Sequence, residues 1–310
     1  MTAPAIPHPS GGAPLRPGDP RYPERLAAVP GCPDPLFVRG DPAVLALPQL
    51  AIVGSRRASP AGRETAFEFA AELAARGIAI TSGLAAGIDA AAHRGALAAG
   101  GVTIAVCGTG LDRTYPAEHA SLAEAIVERG ALVSEFPVGT PPLAQNFPQR
   151  NRLMSGLALG VLVIEAAARS GSLITARHAG EQGREVLAVP GSIHHALARG
   201  CHRLIQEGAA LVETPDDVLA ALGLAELVAA RKPGIKDGAA AEKSGARLDS
   251  GAEMLLNALG FEPADLDRLV ERTGLPPQAV ASKLQLLELE GRVESLAGGR
   301  FSRTSPRRAR

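Results

Sequence analysis

The sequence predicts an α/β chain whose main body is a doubly wound, mainly parallel sheet, followed by a small C-terminal winged helix-turn-helix domain. Three observations predict it. Seven short Val/Ile/Leu-rich runs follow one another without alternating with polar residues, the pattern of strands buried on both faces. Between most of them lie stretches such as GRETAFEFAAELAARG and GIDAAAHRGALAAGG, with small and apolar residues at helical spacing and glycine at the end. Repeated strand–helix alternation of this kind implies a parallel sheet. After a stretch that loses this periodicity come three amphipathic helical segments and a glycine-centred hairpin.

In chain order, residues 1–20 are rich in proline and glycine and are expected to be disordered. Residues 21–48 are punctuated by proline and read as an irregular arm with one short strand around Leu36 to Arg39. Residues 49–224 are the main body. Its strands are expected at LAIVG, IAIT, VTIAVCG, LVSEF, VLVIEA, VLAVPG and ALVE, beginning near residues 50, 78, 102, 132, 161, 186 and 210. Proline density at 137–148 predicts a long loop. Residues 225–250 read as a linker. Residues 251–304 form the winged helix, from GAEMLLNALG, PADLDRLVERTG and PPQAVASKLQLLELEG to the hairpin around Gly298-Gly299, and residues 305–310 are a basic tail.

Composition bounds the function. The chain has 310 residues, 46% of them hydrophobic, enough for a sizeable core and an appendage. Lysine plus arginine and aspartate plus glutamate both number 32, so an anion site must be a local patch. Three cysteines, Cys32, Cys107 and Cys201, give neither a disulfide framework nor metal spacing. No apolar run of membrane-spanning length and no signal-peptide pattern is present, and a reducing, cytoplasmic setting is expected.

In an open parallel sheet ligands bind beyond the carboxyl ends of the strands. Here those ends read Gly54-Ser55-Arg56, Thr81-Ser82-Gly83, Cys107-Gly108-Thr109-Gly110 and Arg169-Ser170-Gly171-Ser172. All are small, hydroxylated or cationic. Glycine permits close approach to backbone, and a following helix start offers free N–H groups and a positive dipole end. Two readings of each remain open on local chemistry, an ordinary turn with a polar cap or a seat for a phosphate. Neither G-x-G-x-x-G after the first strand nor G-x-x-x-x-G-K-[ST] occurs, which disfavours NAD and ATP.

Between residues 49 and 222 there is no lysine, and 14 arginines stand against 16 acids. Two pairs bunch in loops, Arg56 with Arg57 and Arg150 with Arg152 around Asn151, and the guanidinium fork suits phosphate. Phe147 precedes the second pair and is a candidate platform for a stacked base or a core anchor. Asp89 and His93 stand at i, i+4 and read as a structural hydrogen bond or as a base with its orienting acid. Cys107 ends an apolar strand and reads as core. His194-His195 and Cys201-His202 match no zinc spacing. Asp112 and Glu135 read as unpaired carboxylates on strand-end loops.

Taken together, AIVGSRRASPAG, ITSGLAAGIDAAAHRGAL, TIAVCGTGLDRTYPAEH, LVSEFPVGTPPLAQNFPQRNRLMSGL, VLVIEAAARSGSLITARHAGEQGREVLAVPG and LIQEGAALV resemble the DprA family of DNA-processing proteins, also called Smf. The resemblance runs from about residue 21 to residue 222, and the winged helix resembles an extra domain that many members carry. It implies an extended Rossmann-like body that forms homodimers, binds and shields single-stranded DNA, works alongside single-strand-binding protein and helps load the RecA recombinase during natural transformation. It implies no catalysis, no cofactor and no metal. Arg56 matches the family arginine that contacts the DNA backbone, with Gly54 and Ser55 before it, and Phe147 matches an aromatic that meets a base. The wider expected DNA-binding set is Arg57, Ser59, Ser82, Gly83, Gly108, Gly110, Arg150, Asn151, Arg152, Ser170, Gly171 and Ser172. Some relatives carry a lysine where this chain has Ala144, which leaves Arg150 or Arg152 to replace it. The N-terminal helical domain of many members has only a proline-rich stretch in its place.

Two other classes compete. A Rossmann-like nucleoside-monophosphate-cleaving enzyme would use SGSLIT with Glu165 and Glu181, yet the P-G-G-x-G-T-x-x-E string is absent. A ligand-sensing regulator with a winged-helix reader fits the domain order and predicts sequence-specific duplex binding.

Overall fold

The computed structural model describes residues 14–226, 250–259 and 263–304. The chain divides into two compact units, a larger one carrying an eight-stranded sheet and a smaller C-terminal one. Residues 1–13, most of the expected linker at 225–250 and the tail at 305–310 lie outside the described residues.

In the larger unit the strands are β1 (Phe37–Gly40), β2 (Gln49–Gly54), β3 (Ala79–Ser82), β4 (Thr103–Val106), β5 (Ala131–Ser134), β6 (Gly160–Ile164), β7 (Glu185–Ala188) and β8 (Ala210–Leu211). Their order is β1-β5-β4-β3-β2-β6-β7-β8. All neighbours pair in parallel except β1, which runs antiparallel to β5. After β5 the chain crosses back to place β6 beside β2. The strand order therefore reverses between β2 and β6, where this architecture opens a ligand crevice.

Helices cover both faces. Successive residues of β2 point to opposite sides, Leu50 and Ile52 into one core and Ala51 and Val53 into the other. The first core takes the apolar stripes of α2 (Pro60–Ala75), α3 (Ile88–Ala98) and α8 (Pro215–Ala221). The second takes α1 (Glu24–Ala27), α5 (Asn146–Leu157), α6 (Ser172–Glu181) and α7 (Arg199–Gln206). A further cluster seats α4 (Ala120–Arg129) through Leu122, Ala123 and Ile126. Local signals fix the ends. Thr214 and Asp217 form a reciprocal capping box at the start of α8, with Pro215 at its first turn.

The arm departs from the expectation of disorder to residue 20. Leu15 is 1% exposed and exchanges two backbone hydrogen bonds with Leu36, at 2.9 and 2.8 Å. The Tyr22 hydroxyl donates to the Pro33 carbonyl at 2.8 Å. The expected strand near Leu36 is β1, and it is a member of the main sheet rather than part of an irregular arm. Proline-rich composition hides this, because a short edge strand needs backbone pairing and one or two apolar anchors, not a periodic run.

The Asp89–His93 hydrogen bond does not form. The Nδ1 of His93 lies 2.7 Å from the Thr103 hydroxyl, which itself donates to the Ile80 carbonyl. Burial pushes the His93 imidazole down to about 3, so it is a neutral core group. Cys107 is buried, and its thiol is pushed up to about 11 by burial, a core residue rather than a nucleophile.

The smaller unit contains α9 (Ser250–Leu259), β9 (Ala264–Asp265), α10 (Leu266–Thr273), α11 (Pro277–Leu289), β10 (Val293–Leu296) and β11 (Arg300–Arg303). Leu255, Leu256, Leu269, Val280, Leu284, Leu287 and Val293 form its core. The Asp265 carboxylate caps α10 by accepting from Arg268 N. The hairpin turns at Gly298-Gly299, and β9 adds a third strand that the sequence pattern does not reveal, in the order β10-β11-β9.

Candidate nucleic-acid interface

The crevice at the β2/β6 switch is built first from backbone. The β2–β6 ladder runs to the pair Gly54–Ile164, and Ser55 N donates to the Glu165 carbonyl at 2.7 Å. On the other side Ile88 N donates to the Ser55 carbonyl at 3.2 Å. Gly54 is required by this closeness, since a Cβ there would lie 1.9 Å from the Ile164 carbonyl oxygen. Two non-glycine residues with left-handed backbone flank the crevice just beyond strand ends, Leu84 (φ 60°) and Glu165 (φ 53°). Backbone of this kind concentrates at functional sites.

The pinned loop presents Arg56 and Arg57 to solvent. Ser55 Oγ accepts from Arg57 N at 3.1 Å and shapes the turn. Arg56 makes no ion pair among the described residues, and its guanidinium carbon stands 5.5 Å from the centroid of the Phe147 ring. Phe147 comes from the first turn of α5 and meets Tyr115 with ring centroids 5.3 Å apart and planes at 41°. The third wall is the start of α6. There the Ser170 and Ser172 hydroxyls are 2.7 Å apart, Ser172 N donates to Ser170 Oγ, and Gly171 is exposed. Asn151 ties α5 to this turn by donating to the Gly171 carbonyl at 3.4 Å. Gly54, Ser55, Arg56, Arg57, Phe147, Asn151, Ser170, Gly171 and Ser172 thus line one open cleft of about 700 Å³, with Arg150 in its lining. The α6 N-terminus adds its positive dipole end.

Ser59, Ser82, Gly83, Gly108 and Gly110 do not line the cleft. Ser82 is fully buried and its hydroxyl donates to the Ile52 carbonyl at 2.6 Å. Gly83 is buried, and a Cβ there would lie 1.9 Å from Arg150 Nη1. The Gly108 carbonyl accepts from Asn146 Nδ2, and Gly110 N donates to the Thr140 carbonyl. Ser59 caps α2 by accepting from Gly62 N at 3.0 Å and does not line the cleft. Small residues after strands serve packing as readily as ligand approach: a Cβ at Gly83, Gly108 or Gly110 would meet the Arg150 guanidinium, the Phe147 ring or the Asp112 carboxylate.

The second arginine pair is also redirected. Arg150 is 4% exposed and its Nη1 donates to the Val106 carbonyl at 2.8 Å, which fastens α5 to β4. Arg152 pairs with Glu135, whose carboxyl burial pushes up and Arg152 pulls back. Neither stands free to replace the lysine that some relatives carry at the position of Ala144. Asp112 and Glu135 are both engaged, Asp112 with Gly139 N and Arg113. Arg169 lines a neighbouring cavity of about 640 Å³ between α6 and α7, not the cleft.

Tyr115, Thr175 and Asp89 line the cleft although sequence reasoning did not place them there. The signals were present: one of two tyrosines in the chain, a hydroxyl one turn after Ser172, and an acid assigned to His93. Instead Asp89 Oδ2 accepts from Gly83 N at 3.1 Å and Ala85 N at 3.4 Å. Burial raises the Asp89 carboxyl, against the pull of Arg150. Among the described residues no group of three His, Cys, Asp or Glu is placed to hold a metal, and no helix is long and apolar enough to cross a membrane.

The comparisons agree with this architecture. A family model described as DNA recombination-mediator protein A matches residues 14–223, and one described as DprA winged helix domain matches residues 239–299. Protein Smf of Escherichia coli (strain K12) is 47% identical over 281 residues, 90% of this chain and 74% of that protein. DNA processing protein DprA of Streptococcus pneumoniae is 48% identical over 199 residues, 64% of this chain and 70% of that protein. Its solved structure matches with a TM-score of 0.65 at 46% identity, covering 67% of this chain and 73% of that chain. DNA processing protein A of Helicobacter pylori, whose structure is described in terms of a single-stranded DNA binding mode, matches with a TM-score of 0.60 at 28% identity, over 65% and 92%. With both parts of the chain matched in order and the sheet shared with solved members, the chain belongs to the DNA recombination-mediator protein A family, the DprA and Smf proteins.

Proposed function

We propose that the β2/β6 cleft binds single-stranded DNA, with Arg56 on the phosphate backbone and Phe147 under an unpaired base. The observation that carries this reading is the exposed Arg56 guanidinium beside the Phe147 ring on a loop pinned by backbone hydrogen bonds. A cation next to a stacking platform suits a strand whose bases are unpaired, while a duplex hides the base faces. The serine-rich start of α6 supplies further donors for phosphate. The Helicobacter pylori relative binds single-stranded DNA, which supports the same assignment here.

The wider role we propose is protection of single-stranded DNA and loading of RecA onto it, with single-strand-binding protein present, by a cytoplasmic homodimer formed through the larger unit. The role is binding rather than catalysis: Glu165 and Glu181, which a nucleotide hydrolase would need at the site, do not line the cleft. The regulator reading fares worse on α11. Its exposed side chains include Leu286, Glu288, Leu289 and the adjoining Glu290, a poor surface for a phosphate-lined major groove.

A mobility-shift titration on single- and double-stranded oligonucleotides of equal length tests the reading. The single strand should bind more tightly, with a log–log salt slope of about −2 to −3, corresponding to three or four phosphates at roughly −0.7 each. A flat salt dependence, or selection of one duplex sequence, would refute it. The RecA role predicts faster RecA-dependent strand exchange on DNA coated with single-strand-binding protein. No acceleration at any stoichiometry leaves shielding alone.

A further inference from the structure

Resting on the reading of the cleft as a single-strand site, we propose that Asn146 is a positioning residue: with Arg150 one turn further on, it clamps the start of α5 onto the end of β4 and so fixes the Phe147 ring without touching the strand. Phe147 sits where a helix is ordinarily loose. It is the second residue of α5, the preceding Gln145 makes no side-chain capping bond, and Pro141 to Gln145 are all exposed. The first N–H groups of a helix have no partner within it, and an uncapped start frays.

The fastening comes from the sheet side. Asn146 is 3% exposed, and its Nδ2 donates to the Gly108 carbonyl at 3.0 Å. Arg150, also buried, donates through Nη1 to the Val106 carbonyl at 2.8 Å. The two donors stand at i, i+4 on one face of α5, and the two acceptors are two residues apart at the end of β4. Between the donors, the Phe147 ring lies against Gly108, where a Cβ would stand 3.0 Å from Cδ1 and 3.2 Å from Cε1. The residue whose carbonyl Asn146 holds is thus the residue on which the ring rests. The ring's other partners, Tyr115 at 5.3 Å between centroids and the Arg56 guanidinium carbon at 5.5 Å, belong to exposed side chains, whose rotamers exchange fast. Asn146 itself does not line the cleft. A stacking platform binds best when it is already in place, since ordering it on binding costs affinity.

Asn146 rather than Arg150 is the residue to change, because removing the guanidinium would leave the buried Asp89 carboxylate uncompensated. The probe is an oligothymidine, compared with an oligomer of equal length built from abasic sugars, which keeps the phosphates and lacks every base. Fluorescence anisotropy on the full-length wild-type protein should show about tenfold tighter binding of oligothymidine, the contribution of one stacked base. Phe147→Ala should remove this preference. Asn146→Ala should fold, with Tm within about 4 °C of wild type. It should bind oligothymidine about fivefold more weakly than wild type and the abasic strand within about twofold. In the Phe147→Ala background, Asn146→Ala should change the affinity for oligothymidine by less than about twofold, because the residue acts through the ring.

An unchanged preference for oligothymidine in a folded Asn146→Ala overturns the positioning role and leaves the single-strand site standing. So does an equal loss on both strands, or the full loss repeated on top of Phe147→Ala. Equal, tight binding of both strands by the wild-type protein overturns the stacking role of Phe147 and the positioning role with it. Failure of the wild-type protein to bind either strand overturns the single-strand reading itself. Should Asn146→Ala not fold, Asn146→Asp takes its place, of equal size, without the donor and favoured at a helix start. Its carboxylate repels the phosphates of both strands alike, so the ratio of the two affinities decides.

Discussion

Arg56→Glu is expected to lower the affinity for single-stranded DNA about a hundredfold and to move Tm by no more than about 3 °C. The first part follows from charge. A guanidinium–phosphate hydrogen bond contributes roughly 1.5–3 kcal/mol, and placing a carboxylate there adds repulsion to the loss. The second part follows from exposure. Arg56 makes no ion pair among the described residues, and its contact with Phe147 is worth about 0.5–1 kcal/mol at an exposed site. For a domain of this size that is a few degrees at most. The measurement pairs an anisotropy titration with a thermal melt. Wild-type affinity in the folded variant removes Arg56 from the site, and a collapse of Tm makes it a structural residue.

Gly54→Ala has the opposite signature. The added methyl would lie 1.9 Å from the Ile164 carbonyl oxygen and 2.6 Å from Ile88 Cγ1. The first obstacle is backbone in the neighbouring central strand, so relief requires β2 and β6 to part in the middle of the sheet. The expected destabilisation exceeds about 3 kcal/mol, seen as a Tm drop of roughly 8 °C or more, or as insoluble protein. Were Gly54 glycine only so that DNA can approach, Gly54→Ala would keep wild-type stability and lose binding. That outcome would show that the β2–β6 contact relaxes and that approach of the ligand sets the residue.

The contrast between these neighbours shows what a sequence can disclose. All seven runs expected as strands of the body are strands, β2 to β8, and in β2 to β6 burial on both faces writes itself as apolar runs without polar alternation. A short strand around Leu36 to Arg39 is expected from the sequence, but its place in the main sheet beside β5 and the pairing of Leu15 with Leu36 are not legible, since these rest on backbone hydrogen bonds that any residue can make. In the cleft, Arg56, Phe147 and the Ser170–Ser172 turn were legible from residue type and position at strand or helix ends. Arg150 and Arg152 look alike in the string QRNRL, and neither faces solvent freely. Arg150 meets a carbonyl of β4 and Arg152 meets Glu135, contacts that exist only once the sheet has formed. Asp89 was misassigned because helical spacing pairs it with His93, while its carboxylate reaches back to the amides of Gly83 and Ala85.

The pairing of Gly54 with Ile164 also sets a timetable. Arg56 leaves the ribosome early, but the strand that pins its loop is synthesised far later, after Phe147 and just before the serine turn of α6. A nascent chain that has not yet delivered β6 carries the arginine and the aromatic on segments with no fixed separation. The cleft is complete only when β6 inserts beside β2, so it arises in one step with closure of the sheet. Fragments that end before β6 carry Arg56 and Phe147 without the pairing that brings them into one cleft.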